Sequence, residues 1–200
     1  MSGFKTTLIT CQQCNRRIMV RTADAERGSI TCSHVGCGAT NTLTSGFYYD
    51  ESLLNGLPGF GQLTYLGSTP TTFALQFGNN TIGTSESCVV QLDRFMHNGR
   101  CFISRRHCTL TVTFDKWSGQ LRYQLQDGVP DPVTGEQQSS LNGTLLNGTS
   151  LQKTEIIDVA DGEIIALGGA DRFLLKHFMI NPVMLETYKT ELAFNPDSTQ

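Results

Sequence analysis

Two short polar tracts in the second half of the chain carry groups suited to binding an anion. The first runs from Ser104 to His107 (SRRH), and the second begins at Asn142 (NGT), 35 residues after His107. A hydroxyl donates one hydrogen bond, a guanidinium donates several from a planar fork, and a carboxamide both donates and accepts. Together these groups are able to hold a phosphate and the peptide that carries it, because hydrogen bonds to a charged phosphate are stronger than neutral ones.

Both tracts lie among short apolar or alternating runs that are bounded by turn residues. The candidate strands are residues 63–66, 72–77, 89–92, 108–114, 121–125, 155–159, 163–167 and 173–178. In the run 108–114, threonines at 109, 111 and 113 alternate with apolar residues, which predicts a half-buried strand with one face in water. Asn-Gly and Asp-Gly pairs recur between the runs at a spacing typical of a β-sandwich. The sequence therefore predicts an all-β protein.

Four of the seven cysteines are clustered near the N-terminus, at Cys11, Cys14, Cys32 and Cys37. Two closely spaced cysteine pairs, separated by the length of a hairpin, can supply the four tetrahedral ligands that Zn²⁺ prefers. Four thiolates leave no open position on the metal, so this pattern favours structural zinc over a catalytic centre. The long second pair leaves His34 as a possible substitute ligand. A redox-active Cys-x-x-Cys is the lesser alternative.

The N-terminal segment resembles a bacterial zinc ribbon over about forty residues. Its cysteines form the two knuckles, and segments 17–21 and 29–31 are candidate strands between them. The resemblance implies a small β-hairpin module that binds zinc. Arginines in this segment leave a nucleic-acid-binding role as a further alternative, namely Arg16, Arg17, Arg21 and Arg27.

The rest of the chain resembles the forkhead-associated (FHA) domain, a phosphothreonine-peptide binder, over about residues 63–178. Four markers appear in the family's order: Thr81-Ile82-Gly83, the tract Ser104–His107, Ser140–Thr144 followed by Asn147-Gly148, and residues 161–168 (DGEIIALG). The resemblance implies a β-sandwich of about 10–11 strands with no catalytic activity. It places phosphopeptide binding on Ser104, Arg105, Asn142, Thr84 and Arg106, and support of the binding loops on Gly83, His107, Gly143 and Thr144.

One position departs from the family pattern. The family usually has an arginine directly after the glycine that corresponds to Gly83, and that arginine grips the phosphate; here the residue is Thr84. Replacing a charged donor by a hydroxyl costs about 1.5–3 kcal/mol, or roughly a ten- to hundred-fold loss of affinity. An arginine from the segment 94–106 is a candidate to compensate. The alternative is a phosphate-independent interaction surface that keeps the FHA-like scaffold.

These patterns divide the chain into a zinc ribbon (1–48), a linker (49–61), an FHA-like sandwich (62–180) and a tail (181–200) with a possible short helix over 183–192. We expect a non-enzymatic adaptor whose partner is a protein, and no small-molecule substrate. The net charge of −3 gives no reason to expect nucleic-acid binding by the whole chain. No apolar run approaches the roughly 18 residues that span a bilayer, so we expect a cytoplasmic protein without membrane association.

Overall fold

Short β-strands make up most of the regular structure in a computed structural model that describes residues 7–21, 23–24, 27–42, 47–131 and 133–191. The strands are β1 (Thr7–Thr10), β2 (Arg17–Val20), β3 (Ser29–Thr31), β4 (Thr40–Thr42), β5 (Phe47–Tyr49), β6 (Gln62–Tyr65), β7 (Thr72–Ala74), β8 (Gly78–Gly83), β9 (Val90–Gln91), β10 (Cys108–Asp115), β11 (Gln120–Asp127), β12 (Val129–Pro130), β13 (Gln137–Gln138), β14 (Thr144–Leu146), β15 (Thr149–Ser150), β16 (Ile156–Asp158), β17 (Ile164–Leu167), β18 (Asp171–Lys176) and β19 (Lys189–Glu191). A 3₁₀-helix spans Glu51–Gly56, and helix α1 spans Pro182–Thr187. Neither of these helices has the length and apolar character needed to cross a membrane.

Eleven of these strands form two sheets. One sheet has the order β16-β11-β10-β8-β9, and the other has the order β15-β14-β17-β18-β6-β7. All pairings within them are antiparallel except that of β8 with β9. This arrangement confirms the predicted all-β sandwich of about 10–11 strands.

The sandwich core is built from residues that alternate along the central strands. In β11, Leu121, Tyr123 and Leu125 are buried while the residues between them are more exposed. Such alternation follows from the pleat, which turns successive side chains to opposite faces. The threonine face of β10 is only partly in water, because Thr109 is buried and its Oγ1 donates to the carbonyl of Gly128 at 3.0 Å.

The segment that precedes the sandwich packs against it together with the end of the described chain. Strand β5 pairs with β19, and Leu53 of the 3₁₀-helix is fully buried in the sandwich core. The tail contains a helix that is shorter than the predicted range 183–192, because the chain turns at Tyr188 and enters β19. Residues 192–200 of the predicted tail lie outside the described residues.

The N-terminal module contains two hairpins, β1–β2 and β3–β4. The candidate strands 17–21 and 29–31 are present as β2 and β3, but each pairs with a different neighbour rather than with the other. A small cluster of buried residues lies between the hairpins: Cys11, Ile18, Val20, Ile30 and Cys32.

Candidate functional site

The tract 104–107 lies directly against the end of β8. The amide of Thr84 donates to the carbonyl of Ser104 at 3.2 Å, and the amide of Ser85 donates to the carbonyl of Arg105 at 2.9 Å. A Cβ at Gly83 would lie 2.3 Å from the carbonyl oxygen of Arg105, closer than any side chain tolerates. Gly83 is therefore a glycine because two backbone segments meet there, which holds Thr84 beside Ser104.

His107 connects the two polar tracts from inside the protein. Its ring is fully buried; Nδ1 accepts from the amide of Ser104 at 2.9 Å, and Nε2 donates to the carbonyl of Gly143 at 3.0 Å. Because an amide N–H only donates, Nδ1 carries no proton and the ring is neutral. Burial lowers the pKa of His107 below its ordinary value of 6.5. The geometry thus fixes the loop of Ser104 relative to the loop of Gly143.

A buried carboxylate at the end of β11 holds the second tract from its other side. Asp127 Oδ1 accepts from the hydroxyls of Ser140 and Thr144, both at 2.7 Å, and Oδ2 accepts from the amide of Ser140 at 3.1 Å. The Ser140 hydroxyl in turn accepts from the amide of Gly143 at 2.9 Å. The sequence included Asp127 only among the Asp-Gly turn pairs; its position just after the predicted strand 121–125 and before the polar loop was the available signal.

The side chains of Ser104 and Asn142 each bond to the backbone of the opposite loop. Ser104 Oγ accepts from the amide of Leu141 at 3.1 Å, and Asn142 Nδ2 donates to the carbonyl of Phe102 at 2.8 Å. Within the described residues, the Ser104 hydroxyl proton is given to no acceptor, and Asn142 Oδ1 accepts from no donor. Each side chain therefore makes one hydrogen bond to a loop and has one further group, the Ser104 hydroxyl proton or Asn142 Oδ1, that is able to bond to a ligand.

The cationic residues of the first tract differ in their surroundings. Arg106 Nη2 donates to the carbonyl of Pro130 at 2.6 Å, so this guanidinium holds the β12–β13 hairpin. Arg105 is exposed, and its guanidinium has no hydrogen bond or ion pair with any described residue. Thr84 is half-buried next to Ser104. Of the two predicted arginines, Arg105 is the one whose charge is uncommitted.

A depression of about 760 Å³ lies beside Ser104. Some of the residues that line it were not predicted from the sequence. Its wall is formed by Ser104, Gln137, Ser139, Ser140, Leu141, Lys153 and Thr154. Leu141 is 88% exposed at its edge. Nothing in the local sequence around Lys153 marks it, because it reaches the site only through the pairing of β14 with β15.

The four N-terminal cysteines converge on one point. Their sulfur atoms all lie within 4.8 Å of one another, with Cys11 Sγ 3.7 Å from Cys37 Sγ and Cys14 Sγ 3.7 Å from Cys32 Sγ. Four sulfurs about 2.3 Å from a tetrahedral zinc are separated from each other by about 3.8 Å. The cluster thus has the dimensions of a four-sulfur metal site.

The cysteines of this cluster differ in the pKa of their thiols, and His34 lies outside the cluster. The backbone amide of Cys14 lowers the pKa of Cys11 to about 6, whereas burial raises the pKa of Cys32 to about 12. The ring of His34, considered above as a substitute ligand, lies elsewhere, with Nε2 2.9 Å from the carbonyl of Arg17.

The match to a protein-family model agrees with this geometry. The model of the FHA domain matches residues 80–168, a range that includes both polar tracts and the strands between them. Residues 80–168 form an FHA domain. A search of the curated proteins gave no match to the chain.

Several solved structures resemble the chain, among them structures of FHA domains. One, from a study of phosphothreonine-dependent FHA domain interactions, is 23% identical, covers 60% of this chain and 99% of its own, and has a TM-score of 0.43. The Slr1951 protein of Synechocystis is 23% identical, with coverages of 60% and 99% and a TM-score of 0.46. The FHA domain of yeast Dun1, in complex with a doubly phosphorylated peptide, is 22% identical, with coverages of 71% and 83% and a TM-score of 0.45.

Proposed function

We propose that the FHA domain binds a partner protein through a phosphorylated threonine. The observation that carries this proposal is the Ser104 hydroxyl, which is held at the junction of the two loops with its proton uncommitted. Asn142 Oδ1 is available beside it to accept from the backbone of an extended peptide. Arg105 offers an unpaired guanidinium on the same segment. These groups supply the donors and the charge that a phosphate and its peptide require.

We propose that the four-cysteine module carries structural zinc. Cys11, Cys14, Cys32 and Cys37 match a tetrahedral four-thiolate site in number and spacing, and four protein ligands leave no position for a substrate. The zinc would hold β1–β2 and β3–β4 together, and no catalytic step is assigned to it. The whole chain then acts as an adaptor, with its binding chemistry in the FHA domain.

A phosphate-independent interaction surface is the second candidate function. Thr84 stands where the FHA resemblance places an arginine, and the Asn142 amide nitrogen already donates to the carbonyl of Phe102. An FHA fold with these features is able to present its loops to a partner without reading a phosphate. Exposed Leu141 at the loop tip would provide apolar contact in that case.

Binding of a degenerate phosphothreonine peptide pool, compared with the same pool unphosphorylated, separates the two candidates. We expect fluorescence anisotropy to show binding of the phosphorylated pool only, and Ser104→Ala to weaken it about tenfold or more, because a hydrogen bond to a charged group is lost. Ser118→Ala, which removes an exposed hydroxyl from the β10–β11 turn, serves as the matched control. Equal binding of both pools would support the phosphate-independent surface instead.

A further inference from the structure

Several hydroxyl groups that line the depression beside Ser104 donate no hydrogen bond to the described residues. Ser140 is bonded to Asp127, but the hydroxyls of Ser139 and Thr154 have no hydrogen-bond partner among the described residues, and the Ser104 proton has no acceptor. Three hydroxyl donors on one concave surface form a site for an acceptor-rich group. A phosphate, with three acceptor oxygens, is such a group.

One residue brings positive charge into this wall. Of the side chains that line the depression, Lys153 alone is cationic, and its ammonium forms no ion pair or hydrogen bond with any described residue. Arg94, Arg100, Arg105 and Arg106, the candidates from the sequence, do not line it. Arg106 is instead bonded to the carbonyl of Pro130.

The backbone holds Lys153 in place. The amide of Leu151 donates to the carbonyl of Thr144 at 2.9 Å, which continues the β14–β15 pairing to the edge of the depression. The amide of Glu155 donates to the carbonyl of Gln152 at 3.1 Å, and a carboxylate oxygen of Glu155 accepts from the amide of Gln152 at 2.9 Å. Lys153 and Thr154 are therefore the two central residues of a closed turn.

The Glu155 carboxylate is also occupied by this turn rather than paired with Lys153. Among the described residues no carboxylate lines the depression, so an incoming anion meets one ammonium and several hydroxyls without an opposing negative charge. This balance favours a phosphate over a neutral side chain.

We propose that Lys153 supplies a second cation, beside Arg105, for the phosphate of the bound phosphothreonine, in place of the arginine that Thr84 replaces, and that the hydroxyls of Ser139 and Thr154 complete the site. This inference rests on the proposed phosphothreonine binding. It assigns the phosphate to the side of Ser104 that faces the turn 152–155. Because an ammonium acts as a point charge without the planar fork of arginine, we expect binding that depends strongly on salt.

Charge removal at Lys153 tests the proposal on the full-length chain. We expect Lys153→Gln to weaken binding of the phosphothreonine peptide pool about tenfold or more, and Lys153→Arg to retain it, because charge-assisted hydrogen bonds are lost only in the first variant. Lys176→Gln is the matched control. It removes the same charge from an exposed ion pair with Asp161, at the C-terminal end of β18. We expect it to change the affinity less than twofold.

The outcomes separate this inference from the function on which it rests. If the wild-type protein binds the phosphorylated and unphosphorylated pools equally, phosphothreonine binding fails and the role of Lys153 fails with it. If the wild-type protein prefers the phosphorylated pool and Lys153→Gln binds it as tightly, the proposed function stands and the Lys153 assignment is overturned. A larger gain in affinity from Thr84→Arg in the Lys153→Gln protein than in the wild-type protein would support the assignment, since both cations would then serve the same phosphate.

Discussion

The cysteine module and the FHA domain are stabilised in different ways. Among the described residues, the buried cluster of the module has five members, two of which are cysteines of the proposed metal site, whereas the sandwich core has nineteen. Apolar burial contributes roughly 25 cal/mol per Å², so a five-residue cluster offsets little of the conformational entropy lost on folding. A unit of this size requires a cross-link such as a metal, while the sandwich is held by its own core.

The two regions also assemble their polar groups differently. The cysteines come from two tight turns, each within a few residues of sequence. In the FHA domain, buried His107 bonds to Gly143, 36 positions away, and buried Asp127 bonds to Thr144, 17 positions away. If the module binds a metal as proposed, its ligand set creates its fold, whereas in the FHA domain the fold brings the polar groups together.

Metal removal should have the largest effect on the difference in stabilisation between the module and the FHA domain. We expect a chelator to release one zinc per chain and to abolish amide protection at Ile18 and Ile30, because metal binding contributes on the order of 10 kcal/mol to such modules. The transition of the FHA domain, followed by the fluorescence of the single tryptophan, Trp117, should stay unchanged. Zinc release is measured with a metallochromic dye.

Cysteine variants provide the control for this experiment. Cys14→Ser should lose zinc, whereas Cys101→Ser, which alters a half-buried cysteine outside the cluster, should retain it. Full amide protection in the metal-free module would show that its apolar cluster suffices.

Replacing the buried carboxylate of Asp127 tests how far the polar loops of the FHA domain depend on its hydrogen bonds. We expect Asp127→Asn to lower the free energy of unfolding by about 2–4 kcal/mol, since it removes a charged acceptor from three donors on Ser140 and Thr144. Asp158→Asn, at an exposed carboxylate paired with Arg122, should cost less than about 1 kcal/mol. Urea unfolding measures both. Equal effects would mean that apolar packing alone holds the loops.

Placing an arginine at position 84 tests whether this position contacts the phosphate of a bound peptide. We expect Thr84→Arg to raise phosphopeptide affinity about ten- to hundred-fold, because it adds a bidentate cation beside Ser104. Ser87→Arg places the same charge on an exposed position of the same loop and should have a smaller effect. Anisotropy titrations compare the two. A similar gain from both variants would point to long-range attraction rather than a direct contact.

The pH dependence of stability is the smallest expected effect. The pKa of buried His107 is lower in the folded state than in the unfolded state, so the unfolded state binds more protons below about pH 6.5. The free energy of unfolding should therefore fall as the pH drops from 7 to 5, by at most about 1.4 kcal/mol per pH unit from this residue.

Two features isolate the combined contribution of His107 and His177, because burial lowers the pKa of both side chains. Carboxyl groups with a lowered pKa, such as Asp161, lose their contribution only below about pH 4, outside this window. Trp117 fluorescence in urea follows the FHA domain without the signal of the metal module. Stability that is constant or rises between pH 7 and pH 5 would contradict a neutral, buried His107.

The sequence predicted the sandwich and most of its strands, because period-two alternation and Gly-containing turns are local signals. It did not mark β8 and β14 as strands, since some of their residues were assigned to the family markers, nor β15, which has only two residues. The convergence of the four cysteines was also predictable, because ligand spacing within two turns leaves few arrangements. Strand β19 was missed because its partner, β5, lies about 140 positions away.

Residue types and spacing alone determined the chemistry of both regions: four thiols close in sequence, and a hydroxyl, a guanidinium and a carboxamide on two loops of a β-rich domain. The tertiary structure decided which of those groups are committed. It bonds Arg106 to the carbonyl of Pro130, buries Asp127 beneath the second tract, and brings Lys153 to the depression beside Ser104. The physical reason is that hydrogen-bond partners and exposure depend on contacts between strands distant in sequence, and no local pattern encodes those contacts.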